Sequence, residues 1–172
     1  MEAAGTTRSA FDRHFTDLED CFTAYTSETL ELFLVAVGAA LQQVSGWREQ
    51  IRATAYAIVR FFQEDERRTQ MTLIEILSAG PRAQLVRDGG IDMMVTLIDQ
   101  GRAEMADPDL LSRATAEAIA GAVFSRMRLI FEQGETALSH EHVPELMYTV
   151  VLPYVGAEAA LEELEIPPPG EG

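Results

Sequence analysis

The sequence predicts an all-α protein, and three observations support this class. Apolar residues recur at the three- and four-residue spacings of amphipathic helices along most of the 172-residue chain. Signals for helix starts and stops divide these stretches, and no run of alternating apolar and polar residues indicates a strand. Four of the seven prolines stand at or after Pro153, which leaves most of the chain free to form helices. We expect about eight helices.

The first long helix is predicted over residues 16–44. Thr16 and Glu19 have the spacing of a capping box, in which each side chain satisfies a free backbone amide near the other. Ser45 and Gly46 interrupt the apolar pattern and can cap a second helix, predicted over residues 47–62.

The middle of the chain is punctuated by glycine and proline. After an acidic and basic cluster at residues 64–68, a helix is predicted over residues 67–78. Gly80 and Pro81 mark a stop and a restart, because proline suits the first turn of a helix. The helix that follows is predicted to extend to about residue 105.

Two further long helices are predicted in the C-terminal part. Asp107 as a cap and Pro108 at the first helical position begin one over residues 107–133. Ser139 begins the last, over residues 139–165, with a kink expected at Pro153.

Composition limits the possible classes of protein. The net charge is -15 and all 13 basic residues are arginine, so the surface as a whole should repel nucleic-acid phosphates. Cys21 is the only cysteine, which excludes an intrachain disulfide and a cage of cysteine ligands. The apolar run at residues 32–41 is shorter than a bilayer requires, and no export signal begins the chain. We expect a cytoplasmic protein without a membrane partner.

The two C-terminal long helices are apolar on more than one side, which predicts that a second subunit covers them. Packing them against a two-fold copy would form a four-helix bundle. The alternative is that both are internal helices of a monomer. The residues predicted at the dimer interface are Ala114, Ala118, Ala122, Ser125, Leu129, Met147, Val150 and Tyr154.

The stretch "AGTTRSAFDRHFTDLEDCF" resembles the end of the DNA-binding domain of the TetR family of transcriptional regulators. Three later stretches, "SAGPRAQLVRDGG", "AEAIAGAVFSRMRLIFEQGE" and "VPELMYTVVLPYVGAEAA", resemble the ligand-binding and dimerisation domain of that family. The resemblance implies a remnant of a helix-turn-helix at residues 1–16, a TetR-like regulatory domain at residues 17–166 and a tail at residues 167–172. It also implies a homodimer that responds to a small-molecule effector.

The resemblance implies that a recognition helix would contact DNA, although this chain departs from the family pattern. Asp12 replaces a tyrosine and Leu18 replaces a lysine, and both family residues contact phosphates. The first 24 residues hold two arginines and five acidic residues, so the phosphate-neutralising charge is absent. The residues that the resemblance assigns to DNA are Thr7, Arg8, Ser9, Arg13 and His14.

Two explanations of this incomplete motif are open. In the first, the true start lies upstream and DNA is a partner through two further helices. Alternatively, the chain is a degenerate relative that acts as a ligand- or protein-interaction module. Because the changes at Asp12 and Leu18 lie inside the surviving segment, we expect no specific DNA binding by this chain.

The resemblance places a ligand pocket among the helices, and pockets of this kind are apolar with a few polar groups. Charged residues on apolar faces are the more informative candidates, since a buried charge is either paired or contacts a ligand. The aromatic and methionine candidates have the alternative of being plain core residues. The candidates are Phe33, Val37, Tyr56, Arg60, Glu75, Met93, Met94 and Arg126.

Nothing in the sequence predicts an enzyme or a cofactor. His140 and His142 are two residues apart and lack a third ligand for a metal, so we expect solvated residues at a helix start. Neither a glycine-rich phosphate loop nor a serine-histidine-aspartate set stands out.

Overall fold

The computed structural model describes residues 8–132 and 139–168, apart from the side chain of Ser9. Within these ranges the chain is helical and forms no strand, which confirms the predicted all-α class. After a single turn, α1, the described ranges hold six α-helices of eight residues or more, fewer than the eight expected. The helices are α1 (Arg8–Phe11), α2 (Leu18–Leu41), α3 (Trp47–Gln63), α4 (Glu66–Leu73), α5 (Pro81–Asp99), α6 (Arg113–Glu132) and α7 (Val143–Glu163).

Short 3-10 turns replace parts of three predicted long helices. The segments Glu75–Ser78 and Gln100–Glu104 follow α4 and α5, so those α-helices end earlier than predicted. Asp107 does act as a cap and accepts a hydrogen bond from the Asp109 amide at 3.1 Å, but only for a single turn. The α-helix itself begins at Arg113.

The start of α2 differs from the prediction by one residue. Asp17, not Thr16, is the cap, and its carboxylate accepts a hydrogen bond from the Asp20 amide at 2.7 Å. The carboxylate of Asp20 accepts in return from the Thr16 amide at 3.0 Å. Two carboxylates thus bond to backbone amides at this helix start, although Asp20 accepts from the residue before the cap rather than from the cap itself, and Glu19 is free to contact α5.

The kink in α7 lies three residues beyond its predicted position. Pro153 has no N–H to donate and its ring crowds the preceding turn, which weakens the helix there. Gly156 is the residue that leaves helical geometry, with φ 86° and ψ 176°. Only glycine adopts a positive φ of this kind at low cost, so the bend is found at Gly156.

The helices pack around one main apolar core. α2 packs against α3 and α5, α5 against α6, and α3 against α7. α2 and α5 lie parallel. Two contacts show this: Glu19 lies against Gly80 near the start of both helices, and Leu30 lies against Gly90 further along both. Leu73, Val59 and Val151 are fully buried in this core.

α2 is unusual because much of its apolar surface is uncovered. It is long and apolar enough to cross a membrane by length and composition, and 11% of the relevant window is buried. Val35 is 71% exposed and Leu32 is 50% exposed. The prediction considered only the apolar run at residues 32–41, whereas the helix extends over 24 residues.

Candidate functional site

A cavity of about 190 Å³ lies among α2, α3, α4, α5, α6 and α7. Most of these helices contribute one face, because their lining residues recur at helical spacing, whereas α4 contributes three consecutive residues at its end. On α5 the lining residues are Arg87, Gly90, Ile91, Met94, Leu97 and Ile98. The lining is almost wholly apolar, and its bulky side chains include Phe33, Phe61, Phe62, Phe124, Met127 and Met147.

The packing of α2 on α5 shapes one wall of the cavity. A Cβ added at Gly90 would lie 3.0 Å from Cδ1 of Leu30, so the absence of a side chain lets the two helices approach closely. Both residues line the cavity. One turn earlier along the parallel helices lie Thr26 on α2 and Arg87 on α5, which places them at the same end of the cavity.

Polar side chains are few in the lining. Arg87 is the one charged residue among the described lining residues, and its side chain is 20% exposed. Tyr25 and Thr26 line the same end, and the Thr26 hydroxyl donates to the Phe22 carbonyl at 2.7 Å. Thr54 also lines the cavity, and its buried hydroxyl has no hydrogen-bond partner within the described ranges. An unsatisfied buried hydroxyl costs free energy, so the Thr54 hydroxyl would gain from a hydrogen bond to a polar group of a ligand.

Two of the eight predicted ligand residues, Phe33 and Met94, line this cavity. Val37 and Tyr56 are core residues outside its lining. Met93, next to a lining residue, is 37% exposed because successive helical residues point about 100° apart.

The predicted charged candidates lie elsewhere. Arg60 is exposed on α3. Glu75 accepts a hydrogen bond from Nε2 of Gln70 at 2.9 Å. Arg126 lines a second hollow, of about 200 Å³, between α6 and α7, where its Nη2 lies 3.8 Å from a carboxylate oxygen of Glu145. The prediction missed Arg87, although its spacing from Met94 places both on one face of α5.

The predicted dimer residues separate into two groups. Ala114, Ala118, Ala122, Ser125 and Leu129 are exposed on α6 and are available to a partner. Met147, Val150 and Tyr154 are at most 5% exposed and belong to the subunit core, so they have no free surface for an interface. Their apolar spacing was interpreted as a second exposed face, but α3 covers this part of α7.

The N-terminal residues assigned to DNA are only partly described. Thr7 and the side chain of Ser9 lie outside the described residues. Arg13 and His14 are exposed, and Arg8 lies 4.0 Å from the carboxylate of Asp12. The carboxylate of Asp12 therefore lies beside Arg8, which the resemblance assigns to DNA, and partly neutralises its charge.

The two histidines are less solvated than predicted. The His140 ring contacts Tyr56 edge-on at a centroid distance of 5.4 Å, and its buried Nε2 has no hydrogen-bond partner among the described residues. Nδ1 of His142 accepts a hydrogen bond from the Ser139 amide at 3.1 Å, which bears out Ser139 as the start of this segment. No cluster of three metal-ligating side chains occurs in the part of the chain that is described.

Comparisons with known proteins find no matching family model, no matching curated protein and no matching solved structure. The cavity and the exposed faces of α2 and α6 are therefore the observations on which a function is argued.

Proposed function

We propose that this chain is a small-molecule-binding regulatory domain, of the type found in TetR-like transcriptional regulators, and that the cavity holds its effector. The main support for this proposal is the apolar cavity of about 190 Å³ inside the helical core. Cores are normally packed with few voids, and an apolar cavity of about 150 Å³ is already large enough to bind benzene. The effector would therefore have an apolar part of about one ring or a short alkyl chain.

The positions of the lining residues support a link between binding and the rest of the fold. Leu30 on α2, Ile91 on α5 and Phe124 on α6 all face one cavity. A ligand that fills it would favour one relative arrangement of these helices by its differential affinity for that arrangement. Since α2 leads directly from the N-terminal residues, this is the route by which we propose that the effector influences what the N-terminal end contacts.

The same proposal includes a homodimer formed through the exposed small residues of α6. Ala118 and Ala122 lie one turn apart, and neither side chain would prevent a close helix–helix approach. The neighbouring exposed residues of α7, Pro153 and Ala157, would extend the contact.

An alternative is that the chain serves as a protein-interaction module. The observation in its favour is the uncovered apolar face of α2, with Leu32 and Val35 at least half exposed. Exposed apolar surface that is continuous along a helix is typical of a contact site. In this alternative the cavity would have no ligand and α2 would be the functional surface.

The test is a thermal-shift screen with small apolar compounds, repeated on variants with a filled cavity. A ligand present at 100 times its Kd should stabilise the protein by about 2.7 kcal/mol. Ala120→Leu or Val123→Phe should abolish the shift, because both side chains line the cavity. Ala24→Leu, an exposed site on α2, is the matched control and should bind as the wild type does. A screen without a single stabilising compound would favour the interaction module.

A further inference from the structure

Three of the polar residues that line the cavity, Tyr25, Thr26 and Arg87, lie close to one another in the fold. Gly90 on α5 lies against Leu30 on α2. Arg87 and Thr26 each come about one turn before these residues on the two parallel helices, so they lie side by side in the cavity lining. Tyr25, next to Thr26, also lines the cavity. The remaining lining side chains, such as Met147 and Val150, are apolar apart from three threonines.

The guanidinium of Arg87 has one nitrogen, Nη1, without a protein partner among the described residues. Its Nε and Nη2 both donate to Oδ1 of Asp88, at 2.9 and 2.6 Å. Asp88 is 56% exposed and directly adjacent in sequence, so water weakens this pairing. Nη1 donates to no residue within the described ranges, and neither does the hydroxyl of Tyr25.

An arginine in the lining of an apolar cavity is unfavourable because its charge loses hydration. A cation in an apolar environment costs free energy unless it is paired and hydrogen-bonded. Leucine or methionine would fill the same wall without that cost. Arginine also presents a planar fork of donors that matches a carboxylate, which a single ammonium group does not.

Building on the ligand-binding role proposed above, we propose that the cavity takes an amphipathic carboxylate, with the acid group bound by Arg87 and the apolar part among the core side chains. The free Nη1 of Arg87 and the hydroxyl of Tyr25 are the donors to the carboxylate oxygens. The competing explanation is that only the aliphatic stem of Arg87 contacts the cavity while its head remains with Asp88. The two explanations differ in the ligand that they favour.

The experiment compares octanoate with n-octanol, and hexanoate with n-hexanol, by calorimetry at pH 8, where the acids are ionised. An apolar cavity without an anion site favours the alcohol, because the carboxylate loses more hydration. We expect the wild type to bind the acid at least tenfold more tightly than the alcohol of equal length. Each tenfold corresponds to about 1.4 kcal/mol.

Arg87→Gln and Arg87→Met should weaken acid binding about tenfold or more and change alcohol binding by less than threefold. Tyr25→Phe should weaken only the acid, by a smaller factor. Arg60→Gln removes the same charge from an exposed site outside the cavity and is the matched control. Circular dichroism melts show whether each variant is folded, and Tyr25→Phe tests the site independently of Arg87.

The outcomes separate the two proposals. If the alcohol binds the wild type as tightly as the acid does, or if the Arg87 variants keep their acid affinity, the carboxylate inference is overturned while the apolar cavity site stands. If neither the acids nor the alcohols bind, both proposals fail.

Discussion

Nη2 of Arg52 lies 2.6 Å from Oε2 of Glu163, a carboxylate with no exposed surface that is 111 residues away in sequence. Nε of Arg48 donates to the other oxygen of Glu163 at 2.8 Å. Burial lowers the pKa of Arg48, but the hydrogen bonds that it donates to Glu163 and Glu162 outweigh this effect and leave the pKa raised. The cluster thus joins α3 to the end of α7 through paired charges.

Removing Glu163 should destabilise the protein strongly. Glu163→Ala leaves two half-buried guanidinium groups without their shared partner, and breaking a buried pair in this way costs about 3–5 kcal/mol. Glu162→Ala is the control, because Glu162 is 60% exposed and exposed pairs contribute about 0–1 kcal/mol. Urea unfolding measures both. Equal effects of the two variants would show that the buried cluster does not hold α7 in place.

Gly101 is a second site at which we expect a large loss of stability. A Cβ at this buried position would overlap the indole ring of Trp47, whose Nε1 donates to the Leu97 carbonyl at 3.0 Å. The ring is fixed by that bond and by an edge-on contact with Tyr154 at 5.1 Å. Gly101→Ala should therefore cost about 1–3 kcal/mol through overpacking.

Gly89 is the matched control for Gly101. It lies inside α5 with no atom within 4 Å of an added Cβ. Gly89→Ala should stabilise the protein by roughly 0.5–1 kcal/mol, since alanine loses less conformational entropy in a helix. Melting curves that move in the same direction for both variants would contradict the packing argument.

Cys21 provides a prediction that depends on pH. Burial, with a smaller contribution from the charge of Asp20, raises the pKa of its thiol. Because only the thiolate reacts, iodoacetamide should modify native Cys21 more slowly than Cys21 in urea at pH 8. The thiol ionises at a lower pH in the unfolded chain than in the folded protein. The contribution of Cys21 to the free energy of unfolding is therefore fully present below the pKa of the unfolded thiol and decreases as the pH rises above that value. Equal or faster reaction of the native thiol would contradict this.

The local signals in the sequence predicted where helices begin better than which side chains meet. Pro81 and Ser139 begin their segments as expected, because caps and proline act within a few residues. The fully buried state of Glu163 was not predictable in the same way, since its partners are on α3 and only tertiary packing brings them together. Likewise, Arg60 and Arg87 both carry a charge within an apolar pattern, and only the packing of α2 on α5 turns Arg87 toward the cavity.

We expect a charged side chain on the exposed face of α6 to disrupt the proposed dimer. Ala118→Arg should give a monomer, because a long cation would be forced between two closely packed helices, whereas the wild type should have twice the chain mass of 19.0 kDa. Val35→Arg, on the exposed face of α2, is the comparison variant and should remain dimeric. Sedimentation at micromolar concentration distinguishes these results. Monomers from Val35→Arg alone would place the interface on α2, and a monomeric wild type would refute the dimer.

The final prediction is that this chain does not bind DNA with sequence specificity. Its first 24 residues contain two arginines against five acidic residues, and the exposed Arg8 is partly neutralised by Asp12 at 4.0 Å. Phosphate contacts both hold a recognition helix in register and supply most of the non-specific affinity. A mobility-shift assay at low salt with DNA from around its own gene should show no sequence-dependent complex. Asp12→Asn combined with Leu18→Lys should increase salt-sensitive, non-specific binding. The first change removes a negative charge and the second adds a positive one, at the positions where phosphates would lie. Sequence-dependent binding by the wild type at nanomolar protein would refute the prediction and establish the N-terminal segment as a working DNA contact.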